Sequence, residues 1–208
     1  MLLSSYNLIV GGQDMRPVLK PNTLTELEGC LRQGGVTLTG WGAGQAKTSA
    51  DLLTEIRSGE SQLVFKDGQL TRKVRALAID VWYRDVKLGV WKYLYEKKQV
   101  FEDGRTRRRR LWTSLGEKLR AGEMPNYAAV SRALAEELVL SEISHQHLLY
   151  LGDWHEKRPS SSYPGLISYH YFSFWWYFLQ PEQYLEQYQE VQPRKKTTYW
   201  RWLTAGYW

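Results

Sequence analysis

A chain of 208 residues with 43% apolar and 24% charged side chains has the material for a buried core and lies in the ordinary range of globular proteins. Its single cysteine, Cys30, excludes an internal disulfide framework and points to a reducing, cytoplasmic setting. No apolar run reaches the roughly 18 residues of a membrane span, and the N-terminus carries no charged, apolar and small-residue leader pattern, so no membrane partner is expected. The formal charge of +6 admits a polyanionic partner.

In chain order, residues 6–10 suggest a short strand. Asn22 or Thr23 caps a helix carrying Leu24, Leu27 and Leu31, which Gly34 and Gly35 stop. Cys30 shares that apolar face and reads as a small core residue. Residues 36–38 suggest a strand. The segment 37–48, TLTGWGAGQAKT, then has the layout of a phosphate-cradling loop, with glycines, Lys47 and Thr48 before a helix. It fails where the backbone must wrap phosphate, because Trp41 and Ala46 stand where that loop needs glycine. A glycine turn ahead of a capped helix is the better reading. That helix starts at Thr48 or Ser49, carries Leu52, Leu53 and Ile56 on one face, and ends at Gly59.

Residues 63–65 and 70–83 form a strand pair, and 90–101 alternates as a third strand. A turn at Asp103 and Gly104 leads into an arginine-rich strand ending at Leu111 and Trp112. There Arg107 and Arg109 face one way, and Arg108 and Arg110 the other. One of those rows would suit phosphate; a charged, solvated edge strand accounts for them equally. Residues 148–154 and 167–179 are further strands around a loop at 156–165. Pro181 opens a short acidic helix through Glu190, and 199–203 closes as a strand, with Trp200 and Trp202 in the core. His145 and His147 would share a strand face without a second pair to complete a zinc set. His155 and His170 read as structural histidines. Ten Trp and 14 Tyr supply broad surfaces for stacking or docking.

The segment 116–140, GEKLRAGEMPNYAAVSRALAEELVL, is a glycine- and charge-rich loop running into a helix. At about 100° per residue, Tyr127, Val130, Leu134 and Leu138 form one apolar stripe. Glu136 and Glu137 lie beside it, with Glu123 in the loop ahead. Carboxylates clustered at such a junction can hold a divalent metal; they can equally form a solvated face in which Glu136 pairs with Arg132 one turn back.

This segment resembles the box of the MutT/Nudix family, G-x5-E-x7-R-E-U-x-E-E-x-G-U, where U is aliphatic. Gly122-Glu123 resembles the end of the box loop, and Arg132, Leu134, Glu136, Glu137 and Leu140 match its helical part. The departures are specific. Ala133 replaces the first glutamate after the arginine, Val139 replaces the glycine, and eight residues separate Glu123 from Arg132 where the family has seven. Gly116 stands one residue too early for the opening glycine.

The resemblance implies a Nudix-like mixed β-sheet between helices over residues 70–208, with residues 1–69 as an N-terminal α/β extension packed on it. It further implies metal-dependent hydrolysis of a nucleoside diphosphate linked to another moiety. Glu123, Glu136 and Glu137 would hold Mg2+ or Mn2+, with Glu123 accessory as ligand or base. Arg132 would orient the acids, and Arg107 or Arg109 would neutralise substrate phosphates. The damaged box equally fits a non-catalytic module that binds a nucleotide, RNA or a protein partner.

Overall fold

Aromatic and β-branched residues are frequent in the longer strands of this chain, and the side on which each falls sets the architecture. The structure is a computed structural model that describes residues 19–44, 46–66, 68–108, 113–192 and 196–205. Its elements are α1 (Leu24–Gln33), α2 (Ser49–Arg57), β1 (Gln62–Lys66), β2 (Gln69–Asp85), β3 (Val90–Phe101), β4 (Thr106–Arg107), β5 (Leu115–Lys118), α3 (Tyr127–Leu138), β6 (Leu148–Pro159), β7 (Ile167–Leu179), β8 (Gln187–Gln192) and β9 (Lys196–Ala205). Single turns of 3-10 helix lie at His145–His147 and Pro181–Gln183. The chain is α/β, as expected, and no helix among the described residues is long and apolar enough to cross a membrane.

Two compact units partition the chain. The first takes the described residues up to Arg57, Ser61–Lys73 and Arg158–Ser168. In it the Thr23 hydroxyl caps α1 by accepting from the Glu26 N–H, and Thr48 and Asp51 exchange hydrogen bonds at the start of α2. Leu27 and Leu31 of α1 bury with Leu52 and Leu53 of α2, Leu63 of β1 and Leu70 of β2. Gly35, at φ 75, ends α1 in the left-handed conformation, and the Val36 N–H donates back to the Leu31 carbonyl. This helix-ending bond takes up the amide that the expected strand at 36–38 would have used. Trp41 Nε1 donates to the Pro164 carbonyl at 2.9 Å, and the glycines of this loop make turns, as read. A buried ion cluster sits beneath. Glu55, 5% exposed, accepts at 2.6 Å from Arg72, Lys47 and Ser61, and Arg72 lies over the Tyr163 ring.

The second unit takes Ser58–Glu60, Val74–Lys157 and the described residues from Tyr169 onward. Its strand order is β6-β7-β2-β3-β9-β8, with β5 on β2 and β4 on β3. Pairing is antiparallel between β2 and β3, β2 and β5, β3 and β9, and β8 and β9. Leu77, Ile79 and Val81 of β2, Trp175 and Tyr177 of β7 and Trp200 of β9 join Val130, Ala133, Leu134 and Leu138 of α3 in one core. The intervening residues of each strand face the other way, which leaves a second face rich in aromatic rings.

Several boundaries differ from the sequence reading. Residues 115–118 are a strand rather than loop, because alternation places Leu115 opposite Ile79 and Glu117 opposite Leu77. The acidic segment after Pro181 makes one 3-10 turn and then strand β8, since pairing with β9 buries Tyr188. β6 continues through the expected loop to Pro159. His145 and His147 lie on a 3-10 turn, not a strand face. The arginine-rich strand is present as Thr106–Arg107; its continuation through residues 109–112, like the strand expected at 6–10, lies outside the described residues.

Glu55→Gln should lower unfolding free energy by about 3–5 kcal/mol in urea titrations, because it leaves the buried Arg72 guanidinium without its counter-charge. A loss under about 1 kcal/mol would equate this pair with an exposed one.

Candidate functional site

The segment singled out in the sequence forms β5, a tight turn and α3, all in the second unit. Leu115 and Glu117 share the core-facing side of β5. At 120–123 the chain reverses: the Glu123 N–H donates to the Arg120 carbonyl at 3.1 Å, and Gly122 at the third position has φ 73. That position of a type II turn requires a positive φ, which glycine adopts freely. Gly59, at φ 78, packs so closely on Ala121 that a Cβ there would fall 2.4 Å from the Ala121 Cβ. Asn126 caps α3 by accepting from the Ala129 N–H at 3.2 Å.

Arg132 stands at the centre. Its Nε donates to Glu123 Oε1 at 2.7 Å and its Nη2 to Glu123 Oε2 at 2.9 Å, a two-pronged pairing. Its Nη1 donates to Glu136 Oε2 at 2.7 Å and to Glu117 Oε1 at 3.1 Å. Arg120 completes the cluster: its Nη2 donates to Glu136 Oε1 at 2.6 Å and its backbone N–H to Glu123 Oε2 at 2.8 Å. The side chain of Arg132 is 15% exposed, that of Glu136 44%. Arg132's hydrogen bonds hold the Glu123 carboxyl below its usual range. Burial, only partly offset by Arg132, lifts that of Glu117 above its own. Glu123, first among the carboxylates, makes the Arg132 guanidinium still harder to deprotonate.

The structure therefore brings Glu123 and Glu136 together, but on a guanidinium rather than on an open pocket. None of Arg132's bonds goes to Glu137, which makes interactions of its own. Arg107 lies on β4 opposite Gln99 and takes no part in the cluster; Arg109 lies outside the described residues. Among the described residues, no group of three or more His, Cys, Asp and Glu is arranged to hold a metal ion. Every oxygen of Glu123 and Glu136 already faces a cationic donor, so the expected Mg2+ or Mn2+ does not fit these residues as they stand. Glu117 and Arg120 were missed in the sequence. The alternation of Leu115 with Glu117 was the signal for the first; Arg120 carried none.

Both box departures have structural meaning. Ala133 is fully buried in the core, where a glutamate would be desolvated without a partner. Val139 ends α3 at φ 58, ψ 34, the one non-glycine residue with positive φ among those described. The chain thus keeps a glycine conformation on a β-branched residue where the box pattern has glycine. Val139 is also exposed, and it lines a cleft of about 830 Å³ with Leu138, His147, Glu182 and Tyr188.

The chain matches no family model and no curated protein. Among solved structures it is similar to the C. elegans Ap4A hydrolase, at 11% identity and a TM-score of 0.35, over 62% of this chain and 79% of that one.

Val139→Gly should stabilise the protein by about 1 kcal/mol in denaturant titrations, since left-handed strain of about 1–2 kcal/mol exceeds the entropy cost of glycine; a destabilised variant would show that Val139 is unstrained. The Glu123 bond has a pH signature. A carboxyl whose folded value lies below the usual 4.5 contributes stability above that pH and loses it as pH falls through the folded value. Wild type should therefore be more stable than Glu123→Gln at pH 7, and the gap in melting temperature should close below pH 4.5; a pH-independent gap would assign the difference to packing.

Proposed function

We propose that this chain is a non-catalytic Nudix-like module, in which the box acids brace α3 against its loop and strand and the protein binds a partner instead of hydrolysing a diphosphate. One observation carries the reading: the guanidinium of Arg132 occupies the point where two of the three box carboxylates, Glu123 and Glu136, converge. The burial of Ala133 supports it, because the missing ligand position belongs to a dry core. In the same reading, residues 70–208 form the Nudix-like domain and residues 1–69 an extension of it.

The alternative is the metal-dependent hydrolase, favoured by the presence of Glu123, Glu136 and Glu137 on one loop and helix. A metal bound there would polarise phosphoryl oxygen and supply hydroxide. To reach it, Glu123 and Glu136 must first give up Arg132 and Arg120, and replacing charge-assisted bonds of this kind costs about 1.5–3 kcal/mol each.

Purified protein should show no turnover across a panel of nucleoside diphosphate-X compounds with Mg2+ or Mn2+. Its melting temperature should also stay the same when millimolar metal is added. Turnover that disappears in Glu137→Gln would overturn the proposal and restore the hydrolase.

A further inference from the structure

The second face of the sheet, away from α3, carries an array of rings. On β7, Phe172, Phe174, Trp176 and Phe178 point to this side, while Ser173, Trp175, Tyr177 and Leu179 bury in the core. Trp154 of β6 packs 6.3 Å from Phe172 and 6.5 Å from Phe174. Trp176 meets Trp82 of β2 at 5.7 Å, Trp82 meets Tyr93 of β3 at 5.1 Å, and Phe178 meets Trp91 of β3 at 5.7 Å. The rings thus run across four strands, from β6 to β3. Both ends are open: Trp154 is 53% exposed and Trp91 39%.

Two of these rings are anchored by one carboxylate. Asp80, partly buried on β2, accepts from Trp176 Nε1 and from the Tyr93 hydroxyl, each at 3.2 Å, and from the Ser114 N–H at 3.3 Å. Rings fixed in this way lose little side-chain entropy when they take up a ligand.

The β3–β9 side of the same face is cationic. Arg84 lies over the Trp91 ring at 5.5 Å. Register places Trp91, Tyr93 and Tyr95 opposite Ala205, Leu203 and Arg201, so Arg201 joins this face. Lys97 stands near enough to Arg201, Lys98 and Arg108 that their repulsion, Arg201 foremost, lowers its pKa. Among the described residues, Arg84, Lys97 and Arg201 form no ion pair. Partly exposed rings beside unneutralised cations match a chain of phosphates whose bases are free to stack. A duplex hides its base faces, whereas the single-stranded loops and ends of RNA present unstacked bases that aromatic side chains can take up.

We infer that this face binds single-stranded RNA, with bases stacking from Trp154 through the β7 rings to Trp91 and phosphates running toward Arg84, Arg201 and Lys97. The inference rests on the module reading in naming its ligand, but the surface shares no residue with the Arg132 cluster.

The test is fluorescence anisotropy of a labelled, unstructured 12-nucleotide RNA with the full chain, at several salt concentrations. Binding should weaken with salt with a logarithmic slope of about −2, as three phosphate contacts on a single strand require. Trp154→Ala and Trp91→Ala should each weaken it by about tenfold or more, while a cooperative melt and an unchanged far-UV spectrum show that each variant, which also loses its ring packing, stays folded. Lys97→Gln with Arg201→Gln should flatten the salt slope. The inference is overturned if no binding occurs at low salt, if either tryptophan variant binds as wild type does, or if duplex RNA or single-stranded DNA of the same sequence binds more tightly. Such a failure leaves the Arg132 reading standing, since that reading is decided by turnover and metal response.

Discussion

The guanidinium of Arg132 is the fixed point of the second unit. It offers five N–H donors in one plane, and they engage Glu123, Glu136, Glu117 and the Lys118 carbonyl. One side chain thereby joins β5, the 120–123 turn and α3. Because Arg132 must point toward the turn, the rotation of α3 about its own axis is set, and Val130, Ala133, Leu134 and Leu138 fall on the core. Three carboxylates surround two guanidinium groups, an excess of one negative charge if all ionise. Burial raises the Glu117 pKa in the direction that removes this excess. Each oxygen of Glu123 and Glu136 accepts from an arginine of the chain, which leaves these two carboxylates little to offer a divalent cation.

The sheet of the second unit has two chemically distinct sides, both built by the two-residue period of its strands. One side buries Leu, Ile, Val and the Trp175 and Trp200 rings with α3. The other carries rings that are neither fully buried nor free. Keeping Asp80 among them is costly, as its raised pKa from burial records. Three donors offset that cost and hold Trp176 and Tyr93 in place.

Local signals located most elements. The cap at Asn22 or Thr23 with the glycines at 34–35, the helix start at Thr48 or Ser49 and the alternation in 90–101 placed α1, α2 and β3 within a residue or two, and β7 lies at 167–179 as expected. The two strands that were missed share one cause. Residues 187–192 are polar and acidic and carry little strand preference of their own; β9 makes them a strand by pairing with them. Residues 115–118 likewise become strand only because β2 lies alongside. In the candidate site, Arg132, Glu123 and Glu136 stood out by type and spacing, and the i to i+4 spacing allowed the Arg132–Glu136 pair.

The sequence by itself determined that Glu123, Arg132 and Glu136 would lie near the start of α3, because short chain distances confine them to one turn and one helix face. What it left open was whether their oxygens would meet a cation from solution or a cation from the chain. That depended on Glu117 arriving on β5 and Arg120 on the turn, and both are placed by strand pairing with β2 and the close contact of Gly59 with Ala121. A charge cluster is settled by distances among residues that several elements supply, and only the folded chain sets those distances.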